Sequence, residues 1–141
     1  MQKIRFKTLQ GFTFVEIMIT VAIIGILIMV VYPYYLDNIR KSRRVDAKVA
    51  LIELAQLQED SFITTKQYMD TIVGINGYGN NNYRLSLTTK PNDTGRITQF
   101  TLIAEAEGSQ AKDTDCFQFK IDSIGNRTAF KKSNMRNDDC W

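Results

Sequence analysis

Histidine is missing from all 141 residues, which removes every mechanism that turns on an imidazole: a Ser-His-Asp triad, a Cys-His pair, a histidine-ligated zinc. Cysteine occurs twice, as Cys116 and Cys140, too few thiols for a zinc site of their own. A glycine-rich phosphate loop, a CxxC pair and a nucleophile-elbow serine are all lacking. The chain therefore reads as a protein without catalytic chemistry, cofactor or metal. Acidic residues are missing from the first eleven positions, which hold Lys3, Arg5 and Lys7. Beyond them 15 basic residues balance 15 acids, so the net charge of +3 belongs to a short cationic leader and is no mark of nucleic-acid binding.

What is present suits one folded domain, with 44% hydrophobic and 23% charged residues. The hydrophobicity is uneven. From Ile17 to Leu36 there are 20 consecutive uncharged residues, the length of a helix that crosses a bilayer core about 30 Å thick. A cleaved secretory signal needs small residues after its apolar run, and this run ends in Val31-Tyr32-Pro33-Tyr34-Tyr35 instead. Arg40, Lys41, Arg43 and Arg44 on the far side balance the leader cations, so charge alone does not orient a membrane anchor. Glu16 directly abuts the apolar run. A carboxylate there either sits shallow and reaches the headgroups or has a partner, because an acid toward the centre of a membrane helix costs on the order of 2–3 kcal/mol.

The stretch Gly11-Phe12-Thr13-Phe14-Val15-Glu16-Ile17, continuing through Ala22-Ile23-Ile24-Gly25-Ile26-Leu27 to Pro33, closely resembles the N-terminal motif of type IV pilins (type IVa prepilins) and pseudopilins. The likeness is strong from Gly11 to Tyr35 and fades beyond. It departs at Ile28-Met29-Val30-Val31, where small residues are common in the family, so helix packing at that level is expected to differ. The resemblance implies that a prepilin peptidase and N-methyltransferase cuts between Gly11 and Phe12 and methylates the new Phe12 amine. It also implies that Glu16 pairs with the terminal amine of a neighbouring subunit during assembly, which agrees with the rule that a buried carboxylate needs an opposite charge. Gly25 and Pro33 interrupt an otherwise uniform helix. Proline removes one backbone hydrogen bond, so a kink is expected at Pro33, and by resemblance the stretch between Gly25 and Pro33 loses helical structure in the assembled fibre.

From Asp37 to about Thr64 neither glycine nor proline occurs, and alanine and leucine dominate, so the helix continues. With the apolar half it would run from Phe12 to about Thr64, roughly 80 Å at 1.5 Å per residue. Val45, Val49 and Ile52 form one apolar stripe, and Ala47, Leu51, Leu54, Ala55 and Phe62 form another. Two partners, sheet and neighbouring helices, or a single wide buried face both satisfy that pattern. The cluster Arg40-Lys41-Ser42-Arg43-Arg44 lacks interleaved aromatics, which favours a membrane-interface or subunit contact over a grip on DNA.

Turn formers crowd Lys66 to Asn82: Gly74, Asn76, Gly77, Gly79, Asn80, Asn81 and Asn82. The period then becomes two, through Tyr83, Leu85 and Leu87, then Phe100, Leu102, Ala104 and Ala106, then Phe117, Phe119 and Ile121, with a further strand at Arg127 to Phe130. Turns fall at Lys90 to Gly95 and Ser123 to Asn126. The fold class is α+β, a long N-terminal helix packed on three or four antiparallel strands. In the compartment that pilin topology implies, Cys116 and Cys140 are expected to form a disulfide bounding the C-terminal region, with a free thiol as the alternative. By the chain-entropy rule such a bridge contributes about 3–4 kcal/mol. The acids Asp113, Asp115, Asp138 and Asp139 read as solvated loop residues, with calcium binding the lesser alternative because 6–8 oxygen ligands are not assured. The triplets Asn92-Asp93-Thr94 and Asn126-Arg127-Thr128 are read as chance matches to a glycosylation signal.

The expected organisation is a leader over 1–11, a membrane and polymerisation half-helix over 12–36, and a periplasmic head over 37–141. The terminal Cys140-Trp141 and the helix Ala47 to Gln56 resemble minor pilins of the PilE type. The implied function is a minor or priming subunit of a type IV pilus, stored in the inner membrane and then extruded by the assembly platform, with other pilin subunits as its partners. Two alternatives stand beside it: a type II secretion pseudopilin, and a pilus-tip module that binds DNA or surfaces through Lys131, Lys132 and Arg136.

Overall fold

The computed structural model describes residues 11–73, 75, 78 and 82–141. Residues 1–10, most of the expected leader, and the loop residues Gly74, Asn76, Gly77, Gly79, Asn80 and Asn81 lie outside the described residues. The chain divides into two compact units at Asn38–Ile39.

One helix, α1, runs from Phe14 to Thr65 and continues through Pro33. Its N-terminus is a capping box: Thr13 Oγ1 accepts the Glu16 backbone N–H at 3.3 Å, while Glu16 Oε2 accepts the Thr13 N–H at 3.4 Å. Its C-terminus is closed by Lys66, which adopts a left-handed conformation (φ 61°) and donates its N–H to the Phe62 carbonyl.

Four strands follow, β1 (Tyr83–Pro91), β2 (Ile97–Ala106), β3 (Gln118–Asp122) and β4 (Arg127–Phe130), as an antiparallel meander in chain order. The first turn lies at Asn92 to Gly95, shorter than the Lys90 to Gly95 expected, because β1 carries on through a bulge at Lys90/Pro91. Asn92 Oδ1 accepts three hydrogen bonds there, from the N–H and hydroxyl of Thr94 and the N–H of Arg96. In the second hairpin Asp122 Oδ1 accepts the N–H groups of Ile124 and Asn126, around Gly125 at φ 81°.

Register lines Leu85, Ala104, Phe119 and Ala129 in one row across all four strands. All four are buried, large beside small, and they form one core with Ala47, Ala50, Leu51 and Leu54 of α1. Only one of the two expected helix stripes is covered: Leu51 and Leu54 are fully buried, whereas Val45 and Val49 are 54% and 48% exposed. Gln58, which ordinary patterning places outside, is fully buried. Its amide pairs with both backbone groups of Met69, accepting at 2.8 Å and donating at 3.2 Å, so the chain leaving the helix is stitched back to it. Tyr68 then stacks on Phe62 and meets the edge of Phe100, each at 4.7 Å.

Candidate assembly and binding surfaces

In the unit before Ile39, every large apolar residue from Phe12 to Tyr35 is at least half exposed, from 52% at Ile17 to 81% at Phe12. The segment is long and apolar enough to cross a membrane, and its most apolar stretch is not buried within the chain. Exposed apolar surface of this extent is a contact surface for lipid or for other protein. At its start Gly11, Phe12 and Glu16 all lie exposed. Glu16 has a local partner, the Thr13 N–H, which supplies a reason for a carboxylate at the edge of an apolar run. The Thr-x-x-Glu spacing signals it in the sequence. A Cβ built on Gly25 meets nothing within 4 Å, so no packing inside the subunit demands a glycine there.

In the second unit Cys116 and Cys140 are joined, with their Cα atoms 5.7 Å apart. The bridge lies beside a polar network that sequence reasoning misplaced. Arg44, assigned to an external basic cluster, turns inward and grips Asp113 with both arms, at 2.6 and 2.8 Å. Asp113 is 4% exposed, which corrects its reading as a solvated or calcium-binding acid: a carboxylate so deep requires the guanidinium. That hydrogen bond holds Arg44 above the ordinary arginine pKa. Arg43 likewise donates to Ser109 at 2.7 Å. Gln110 is fully buried and its Nε2 lies near the Arg40 carbonyl, the Tyr83 hydroxyl and Asp113 Oδ2, at 3.0–3.3 Å. Burial pushes the Tyr83 phenol up to about 12. Lys48 reaches the Cys140 carbonyl at 2.7 Å, and burial lowers its pKa, with Arg44 adding to the effect.

The outer side of β2, β3 and β4 carries an open groove of about 400 Å³. Lys120, Arg127 and Arg136 contribute three cations to its lining and Asp122 one carboxylate, between the hydroxyls of Thr101 and Thr128. The Asp122 carboxylate is engaged by the hairpin it caps and Arg136 is paired with Asp138 at 2.6 Å, so three cations face two carboxylates and the groove is only weakly electropositive. Of the three cations singled out from sequence, Arg136 lines this groove, Lys131 is 3.5 Å from Asp115, and Lys132 lies 5.6 Å above the Phe117 ring. Lys120 and Arg127 were missed. The signal was available for Lys120, since alternation along β3 sends Phe119 and Ile121 inward and Lys120 outward, but not for Arg127, which pairs with inward-facing Ile121 at the start of β4.

Comparison with known proteins agrees with this architecture. The family described as "Type IV minor pilin ComP, DNA uptake sequence receptor" matches residues 33–120, and the prokaryotic N-terminal methylation motif matches residues 8–32. The type IV major pilin protein PilA of Myxococcus xanthus (strain DK1622) is 29% identical over 116 residues, 81% of this chain and 53% of that protein. The chain thus spans about half the length of that relative. A solved type IV pilin from Shewanella oneidensis shares the fold, with a TM-score of 0.50 and 24% identity over 62% of this chain and 89% of its own. With the methylation motif, the exposed apolar helix, the four-stranded meander and the disulfide all in one chain, the protein belongs to the type IV pilins, in the ComP family of minor pilins.

Proposed function

We propose that this pilin subunit is a minor or priming subunit, stored in the inner membrane and assembled through its N-terminal helix into a type IV pilus. The observation that carries the reading is the unburied apolar surface from Phe12 to Tyr35. A prepilin peptidase cuts between Gly11 and Phe12 on the cytoplasmic side and methylates Phe12. Residues 12–36 then hold the subunit in the bilayer, with residues 37–141 as the periplasmic head. On extraction into the fibre the same apolar surface exchanges lipid for neighbouring helices, and Glu16 meets the Phe12 amine of an adjacent subunit. Local bending between Gly25 and Pro33 accommodates the packing. Intact-mass measurement of membrane-extracted protein tests the first step: the mature chain should start at a methylated Phe12, and Gly11→Leu should leave the precursor uncut. Finding Met1 retained, or a cut beyond Pro33, would overturn it.

A second reading is that the head also binds DNA, supported by the weakly electropositive groove at Lys120, Arg127 and Arg136 and by the receptor role in the matched family's description. Phosphate contacts release counterions, so binding should weaken steeply with salt, and each of Lys120→Gln, Arg127→Gln and Arg136→Gln should reduce the salt slope by about 1. Duplex titrations in which the triple variant binds like the wild type would exclude this groove.

A further inference from the structure

Arg44 and Lys48 lie four residues apart on α1 and so share one helix face. Each reaches one half of the disulfide. Arg44 donates to both oxygens of Asp113, and Asp113 Oδ1 also accepts the backbone N–H of Cys116 at 3.3 Å. Lys48 donates directly to the Cys140 carbonyl at 2.7 Å. The cysteines are 24 residues apart in sequence. No residue from 131 to 139 is buried, so the run leading to Cys140 has little core packing to fix where that cysteine goes. The segment from Gly108 to Asp115 before Cys116 is similarly thin, with Gln110 and Asp113 its only buried members, both polar and both tied to the same network. From the sheet side the end of the chain is steadied by backbone contacts with β4, by the Lys132 N–H on the Thr114 carbonyl at 2.9 Å, by Asn137 Nδ2 on the Asp115 carbonyl at 3.2 Å and by the Trp141 indole, which donates to the Thr128 carbonyl at 2.7 Å, while the Tyr83 hydroxyl donates to the Cys116 carbonyl at 3.3 Å. The two contacts that bear on the cysteines from α1 come from a single turn.

We propose that this turn of α1 is a template for the disulfide: Arg44, acting through Asp113, and Lys48 hold the backbones of Cys116 and Cys140 at bonding distance while the thiols are still reduced. Both are positioning residues and take no part in the chemistry. In the closing step the two thiols give up two protons and two electrons. Glutathione disulfide takes them up and becomes two glutathione thiols, so that one sulfur–sulfur bond forms as the other breaks. The helix raises the effective concentration of one thiol at the other. Closure accordingly follows docking of the head on α1, and the oxidised bridge resists reduction for the same reason.

The full-length chain in detergent micelles is equilibrated with glutathione redox buffers, and the bridged fraction is counted by alkylation and mass measurement. Asp113→Asn should lower the effective concentration about tenfold, the loss expected of one charge-assisted hydrogen bond, and Lys48→Met about threefold or more, since it removes the donor but keeps the apolar stem. Arg84→Gln, which breaks an exposed ion pair with Glu107, should stay within about twofold of wild type. General destabilisation is separated by a Cys116→Ala/Cys140→Ala chain: a template requires that Lys48→Met shift the redox equilibrium more than it shifts the unfolding equilibrium of that cysteine-free chain. An unchanged effective concentration in Lys48→Met, or an equal drop in Arg84→Gln, overturns the proposal. If Asp113→Asn fails to fold, Lys48→Met decides alone.

Discussion

Glu16 is a residue with two jobs open to it. It closes a capping box with Thr13 inside its own helix, and it is the acid that would meet a neighbour's terminal amine in the fibre. Glutamine caps as glutamate does but carries no charge. If charge pairing governs assembly, Glu16→Gln and Glu16→Ala should both drop out of sheared pili when judged by immunoblot, although only alanine loses the cap, worth about 1 kcal/mol. Entry of Glu16→Gln at wild-type levels would leave capping as the role of this carboxylate. Tyr83 supports a second prediction at this scale. Its phenol is buried, hydrogen bonded by Gln110 and set near Asp113 and Arg44, and its folded pKa is raised to about 12. The folded state therefore keeps a proton that the unfolded chain surrenders above about pH 10, so the stabilisation is complete below pH 10 and is lost as pH rises toward 12. Unfolding free energies from urea titrations should fall across that window by about 1–2 kcal/mol more in wild type than in Tyr83→Phe. Such coupling was hidden in the sequence because Asp113, Gln110 and Arg44 look like ordinary surface residues until a fold brings them together.

At the scale of elements, the strands were legible because every second side chain faces the core: Tyr83 and Leu85 on β1, Leu102, Ala104 and Ala106 on β2, Phe119 and Ile121 on β3. The helix was legible from composition, and two apolar stripes could be traced on it, but periodicity does not say which stripe the sheet takes. Tertiary packing chose Leu51 and Leu54 and left Val45 and Val49 exposed. Leu51→Ala should therefore cost 2–5 kcal/mol by thermal or urea unfolding, roughly the penalty of a buried cavity. Val49→Ser should change the stability of the isolated subunit by less than about 0.5 kcal/mol. A similar loss from both would mean that the valine stripe is covered within the subunit.

For the whole molecule, the division at Asn38–Ile39 separates an apolar half-helix from a unit holding the core, the sheet and the disulfide. A fragment spanning residues 39–141 should fold, form the Cys116–Cys140 bridge and remain monomeric in sedimentation analysis without detergent, because its core loses none of its buried residues. Aggregation of that fragment would show that the apolar half-helix contributes to the folding of the head. The sequence by itself determined the class of this protein: an uncharged run long enough for a bilayer, a cationic stretch and the Gly11-Phe12 pair before it, a change of period from helix to strand, and two cysteines near the end are all local or periodic signals. The tertiary structure alone decided which helix face is buried, that Arg44 turns inward onto Asp113 while Arg43 reaches Ser109, that Gln58 replaces backbone pairing for Met69, and that Lys120, Arg127 and Arg136 line one groove. Those outcomes depend on contacts between residues far apart in the chain, where the gain from pairing a buried polar group is set by what the fold happens to place opposite it.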